Sequence, residues 1–166
     1  MPTPQEAFWA GQEGDAYTGR NDQQLLASKT DFFMNLWFTN HLKVASAIEF
    51  GANRGLNILA IKRLGMSRFK TDDIAWTAVE INRTACEQLQ ALGSVEVINQ
   101  SIQTFRSDRQ WDLALSMGLL IHIAPDDLPK AYDTLYRASR RYVLVAEYFS
   151  RPPTEIEYRG QMGRLW

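Results

Sequence analysis

The stretch AIEFGANRGLN, residues 47–57, decides how the chain is read. Ala47, Ile48 and Phe50 form an apolar run around Glu49, and Gly51 and Gly55 then punctuate a turn into a helix-like segment. Glycine supplies the backbone conformations such a strand-to-helix turn needs, and it lets a ligand approach the main chain closely. A dinucleotide fingerprint, G-x-G-x-x-G, starting at Gly51 would require glycine at 53 and 56. The chain has Asn53 and Leu56 instead, and no Gly-Lys-Ser/Thr phosphate loop occurs anywhere. The spacing acidic-x-Gly-x-Gly-x-Gly fits better: Glu49, Gly51 and Gly55 match it and only Asn53 departs. Asparagine tolerates the left-handed backbone conformation, so it can stand where a glycine is expected.

Working outward, strands alternate with helices. VASAIEF reads as a buried strand. GLNILAIKRLG reads as a helix with Leu56, Leu59 and Leu64 inward and Gly65 as its stop. DIAWTAVEI is the second strand, followed by a helix capped by Asn82 and stopped by Gly93. VEVIN is the third strand, and IQTFRSDRQ connects through a short helix to a fourth strand in WDLALSMGLL. A helix with Leu128, Ala131, Leu135 and Ala138 on one face leads to the fifth strand, RYVLVAEYF. Such alternation implies right-handed crossovers, a mostly parallel sheet and helices on both faces, an α/β Rossmann-like doubly wound fold. Before it, residues 1–43 read as a helical cap. TPQE (3–6) is a capping box, a three-glycine loop follows over 11–22, and Asp22 caps a second helix. That helix repeats Leu25, Leu26, Phe32, Phe33, Leu36 and Trp37 at helical spacing, with Lys29 as a polar interruption. The expected organisation is one domain: cap 1–43, core 44–150 and an irregular tail 151–166.

The chain has 166 residues and a net charge of −1, with 45% hydrophobic residues, which suits a globular domain with a core of its own. No basic run suggests a nucleic-acid groove, and no stretch approaches the roughly 20 apolar residues of a membrane span. One cysteine, Cys86, cannot form an intrachain disulfide and reads as a packing residue. Two histidines and one cysteine make a Cys/His zinc site a poor expectation, so no metal is expected. The start lacks a signal-peptide pattern, which makes cytoplasm the expected compartment.

In open α/β sheets the ligand lies beyond the carboxyl ends of the strands, where the strand order reverses. That rule gathers residues 49–55, 80–82, 99–102 and 116–122 around one crevice. Glu80, at the end of the second strand, is suited to accept hydrogen bonds from ribose hydroxyls.

The turn, with Glu80, NQSIQ and SMGLLIHIAPDDL following in order, resembles that of class I S-adenosylmethionine (SAM)-dependent methyltransferases. More narrowly, FWAGQEGDAYTGRND, EFGANRGLN, AVEIN, GLLIHIAPDDL, EYF and EYRGQMGRLW look like the methylases associated with pseudaminic acid biosynthesis. The resemblance implies SAM as cofactor, leaving S-adenosylhomocysteine (SAH), and a small, sugar-related acceptor.

 The pathway association leaves the acceptor open between a nonulosonic-acid sugar, its precursor and another molecule. By the same resemblance the cofactor-binding residues are Tyr17, Arg20, Glu49, Gly51, Ala52, Asn53, Gly55, Glu80, Ile81, Asn82, Ser101, Ile102, Met117 and Gly118. Glu49 would receive the ligand's ammonium, Tyr17, Arg20 and Asn21 its methionine end, and Ile81, Ser101 and Ile102 the adenine. The N-terminal segment would close over the cofactor, with Trp9 and Trp37 as packing residues.

A hydroxyl or amine acceptor must lose a proton on methylation. Imidazole titrates near neutrality, about pH 6.5, and His122 in LLIHI follows the fourth strand, so it is the candidate base; His41 reads as structural. Glu147 and Tyr148 after the fifth strand, and Tyr158 and Arg159 in the tail, are candidate acceptor contacts. The resemblance implies seven strands where five are read. The expectation is therefore a sheet without the last two, either shortened or covered at the strand-five edge by a second subunit in a homo-oligomer. The competing expectation is a non-catalytic SAM or SAH binder serving as a regulatory or assembly subunit.

Overall fold

The computed structural model describes residues 1–20, 24–40, 42–69, 73–148, 151–152, 154–158 and 161–165. Among the described residues six helices and seven strands follow in chain order: α1 Pro4–Ala10, α2 Gln12–Arg20, α3 Gln24–Asn40, β1 Ser46–Phe50, α4 Leu56–Phe69, β2 Ala75–Glu80, α5 Arg83–Gln90, β3 Val95–Asn99, β4 Trp111–Met117, α6 Leu128–Ala138, β5 Ser139–Ala146, β6 Glu155–Tyr158 and β7 Gln161–Leu165. Two short 3₁₀ turns, Leu120–His122 and Pro125–Asp127, lie between β4 and α6.

Five strands form one parallel sheet in the order β3-β2-β1-β4-β5. The order reverses at β1, so the crevice beyond the ends of β1 and β4 is the expected ligand position. Side chains alternate along β1: Ala47 joins the core on one face with Ile58, Ile61, Leu64 and Trp76, while Ile48 and Phe50 join the other with Trp111, Ala131 and Leu135. Phe33, Phe50, Ile58 and Leu113 are fully buried, each contributing roughly 1.5–3 kcal/mol by leaving water. At the opposite end of the sheet, Asp112 Oδ2 accepts from the Ala45 and Ser46 amides at 2.8 and 3.2 Å. Arg140 donates to Oδ1 at 2.9 Å, and this bond holds the Asp112 carboxyl down at about 2.

Local expectations fare unevenly. The Thr3 capping box is present, with Glu6 N to Thr3 Oγ1 at 3.1 Å and Thr3 N to Glu6 Oε2 at 2.8 Å. Asn82 caps α5 by accepting from Ala85 N at 2.8 Å. The expected three-glycine loop is instead helix α2, with Glu13 and Asp15 in its first turn and Arg20 in its last, matching the helix dipole. Gly14 serves close approach there: a Cβ on it would sit 1.9 Å from the Trp9 carbonyl oxygen. Gly65 does not stop α4, which runs on to Phe69 because Ile61 and Leu64 anchor its flank in the core. The inward positions of α4 are Ile58, Ile61 and Leu64; Leu56 and Leu59 are half-buried. The 101–110 connection holds a turn and no helix. The tail is not irregular, since β6 and β7 pair antiparallel as a separate two-stranded sheet. The fifth strand ends at Ala146, and β5 is an outer strand of the sheet with Val143 and Val145 half exposed. Asp22 and His41 lie outside the described residues.

Candidate functional site

The turn after β1 is built from three left-handed residues: Gly51 at φ 71°, Asn53 at φ 48° and Gly55 at φ 83°. Asn53 therefore takes the conformation that a glycine would take, and its amide adds a bond glycine lacks. Its Nδ2 donates to Thr18 Oγ1 at 3.1 Å, tying the turn to the buried side of α2. Gly55 faces away from the crevice; a Cβ there would meet Leu89 at 2.8 Å.

Glu80 joins two turns. Its Oε2 accepts from Asn53 N at 2.7 Å and its Oε1 from Asn82 N at 2.8 Å, with the residue 7% exposed. Burial raises its carboxyl above the ordinary range, opposed by those backbone donors. The Ile81 amide bears on the carboxylate as well, and of its roughly four acceptor sites one is left for a ligand hydroxyl. Asn82 extends the linkage into the cap: its Nδ2 donates to Asp15 Oδ1 at 2.9 Å and to the Trp9 carbonyl at 3.3 Å. The bond from Asn82 lowers the Asp15 carboxyl pKa. Asn99 Nδ2 braces the second turn through the Glu80 and Ile81 carbonyls.

These turns border a cavity of about 310 Å³. Glu80, Ile81, Asn82, Ser101 and Ile102 line one side; Met117, Gly118, Leu119 and His122 line another; Gly51, Ala52 and Asn53 line the part nearest β1. Trp9 and Tyr17 come from the cap. Trp9 is thus more than the packing residue expected: its ring lies 4.4 Å from His122 and 5.4 Å from Tyr17, edge-on to the tyrosine. Trp37 is a core residue as expected.

Four expected contacts are not in the cavity wall. Glu49 is fully buried behind Asn57, which donates Nδ2 to its Oε1. Side-chain alternation along β1 turns Glu49 under α4, and burial pushes its carboxyl up to about 8 against the opposing effects of Asn57 and Lys29. Arg20 is exposed, its guanidinium 5.5 Å from the Tyr17 ring centroid, because α2 turns it outward. Gly55 packs on α5, as above. Glu147 holds the chain after β4, its Oε1 accepting from Ser116 Oγ, Leu119 N and Leu120 N at 3.2, 3.0 and 3.1 Å. Tyr148 does line the cavity and is 61% exposed. Tyr158 belongs to β6, and Asn21 and Arg159 lie outside the described residues. Cys86 is buried as a packing residue, with its thiol pushed up to about 11 mainly by burial.

Gln100 lines the cavity as the 99–102 stretch was expected to, while Lys29 and Asn57 also line it and were not foreseen. The signal for Lys29 was its place as the polar interruption in an apolar helical stripe. Among the described residues no group of three or more His, Cys, Asp or Glu side chains could hold a metal, and no helix is long and apolar enough to cross a membrane.

No protein-family model matches the sequence, and no curated protein matches it. Solved structures do match the fold. The sugar N-methyltransferase KedS8 from Streptoalloteichus sp ATCC 53650 superposes with a TM-score of 0.64 at 14% identity, over 92% of this chain and 63% of that one. The fold is one that methyltransferases use. The glycopeptide N-methyltransferase MtfA, complexed with SAM, gives 0.62 at 12% identity over 81% of this chain and 63% of that one. The plantazolicin methyltransferase BpumL, in complex with a pentazolic desmethylPZN analog and SAH, gives 0.56 at 14% identity over 81% and 51%. The chain therefore spans about half to two thirds of the length of these structures.

Proposed function

We propose that the chain binds SAM in this cavity and transfers its methyl group to a small, sugar-related acceptor of the nonulosonic-acid type. The observation that carries the reading is the Glu80 clamp. A buried carboxylate joins the turns after β1 and β2, lines the cavity and retains acceptor capacity for a ribose hydroxyl. The donor set fits an adenosyl amino acid: Glu80 for the sugar, Ile81 and Ile102 as apolar walls for the base, and a turn with left-handed Gly51 for the amino-acid end. A phosphate-bearing dinucleotide fits less well, since Asn53 and Leu56 replace the fingerprint glycines.

SAM, when bound, supplies a methyl group already activated by its sulfonium. The chain supplies position and dryness. Helices α1 and α2 bring Trp9 and Tyr17 over the crevice, and the Asn53–Thr18 and Asn82–Asp15 bonds hold them there. Holding reactants in line is worth up to roughly 7–11 kcal/mol in favourable cases. His122 is assigned to take the acceptor's proton on an imidazole nitrogen, worth about 10²–10⁴-fold. Its place beside Trp9, on the 3₁₀ turn after β4, puts it in the wall of the same cavity.

The test is methyl release from labelled SAM onto candidate amino and carboxyl sugars, with His122→Ala alongside. Transfer that falls by two or more orders of magnitude in the variant, with SAH affinity kept, supports the reading. SAH binding without transfer to any sugar would favour a regulatory or assembly subunit.

A further inference from the structure

Lys29 is half-buried on α3. It interrupts the apolar stripe of α3, between Leu25 and Leu26 on one side and Phe32 and Phe33 on the other, and reaches the cavity wall. Its Nζ donates to Asn57 Oδ1 at 2.7 Å and to the Met117 sulfur at 3.4 Å. Both acceptors are neutral, and an ammonium has three N–H donors. Asn57 is held in turn, since its Nδ2 donates to the fully buried Glu49. The amide thus fixes the lysine head while the Glu49 carboxyl stays behind it, away from the cavity. Asn57 also belongs to the first turn of α4, a 14-residue helix with no acidic residue in that turn. The positive end of the helix and the lysine therefore converge on one place.

We propose that the Lys29 ammonium is the counter-ion for the α-carboxylate of the cofactor's amino-acid end. The inference rests on the SAM reading of the cavity and deepens it. Glu80, at the end of β2, is assigned to the sugar; Lys29 touches Met117, at the end of β4. With β1 between these strands, a ligand held at Glu80 by its ribose lays its amino-acid end across the β1 turn toward Lys29. The role expected for Arg20 passes to Lys29, which α3 points inward where α2 points Arg20 out. Burial lowers the Lys29 pKa, with Glu49 opposing it.

The experiment compares three ligands by calorimetry: SAH, its decarboxylated analogue S-adenosyl-3-thiopropylamine, and 5′-methylthioadenosine. Each is titrated into the wild type, Lys29→Met and Lys29→Arg, with the ligand-free melting temperature as a control for folding. The wild type should bind SAH roughly 10- to 100-fold more tightly than the decarboxylated analogue, the size of a hydrogen bond to a charged group. Lys29→Met should erase that preference, Lys29→Arg should keep part of it, and 5′-methylthioadenosine should bind all three proteins alike. Equal SAH affinity in Lys29→Met, or an equal loss for all three ligands, overturns the assignment. If Lys29→Met does not fold, the wild-type preference and its partial retention in Lys29→Arg decide. A wild type that binds 5′-methylthioadenosine without preferring SAH overturns the role of Lys29 alone. A wild type that binds none of the three overturns the SAM reading beneath it.

Discussion

Replacing Glu80 by glutamine separates the two jobs assigned to that side chain. In the folded chain its oxygens accept from Asn53 N at 2.7 Å and Asn82 N at 2.8 Å. Glutamine keeps one acceptor and turns an NH₂ toward the other backbone N–H. One charge-assisted bond, worth about 1.5–3 kcal/mol, is lost. Relief from burying the carboxylate returns part of this, leaving a net cost of about 1–2 kcal/mol. For a chain of this size that lowers the melting temperature by roughly 2–8 °C. The loss for the ligand is larger in proportion, because a ribose hydroxyl exchanges a carboxylate for an amide: SAH affinity should fall roughly 10- to 100-fold. Thermal melts and calorimetry on Glu80→Gln measure both. A variant that melts with the wild type and binds SAH equally well would refute the clamp and the ribose contact together.

Glu49→Gln should change the pH dependence of stability. The Glu49 carboxyl is raised to about 8 from 4.5, so between those values the folded state holds a proton that the unfolded state has released. Its contribution is complete below about pH 4.5 and is lost as pH rises toward 8. The melting temperature of the variant should therefore fall less than that of the wild type across this window, and parallel curves would contradict the assignment. Gly14→Ala puts a Cβ 1.9 Å from the Trp9 carbonyl and 2.8 Å from Asn82 Nδ2. It should cost about 1–3 kcal/mol in thermal unfolding and weaken SAH binding by displacing α1; a neutral result would show that the helices do not meet so closely. Asn53→Gly keeps the left-handed turn and loses the Thr18 bond, costing about 0.5–1.5 kcal/mol. Asn53→Val, compared in the same denaturant titration, should cost about 1–2 kcal/mol more because the backbone at φ 48° is strained for it.

The Rossmann-like core was legible because its signals are local. AIEFGANRGLN contains a strand, its turn and the start of α4, and the side-chain alternation along β1 follows from the same residues. Asn53 shows how far such reading reaches. Its left-handed conformation was expected, whereas its bond to Thr18 depends on how α2 packs, which no short stretch encodes. Gly14 and Gly65 were misread for one physical reason: a missing Cβ suits a turn, a close helix contact or a tolerated helix interior equally well, and neighbours decide which. Glu49 matched its motif position, yet strand alternation buries it under α4, so the part of the site nearest it is Lys29 and Asn57. Arg20 was assigned by resemblance and Glu147 by its place at the end of the fifth strand; helix phase turns the first outward, and three donors around β4 occupy the second. The β6–β7 pair has few apolar residues, so its pattern carried no strand signal by itself.

Titrating SAH into the wild-type chain by calorimetry tests the central claim most directly. The account predicts one saturable site with a dissociation constant on the order of 1–100 µM, within the usual range for enzyme ligands, and no comparable heat from NAD. Absence of heat with SAH at millimolar concentration, or tighter binding of NAD, would contradict it.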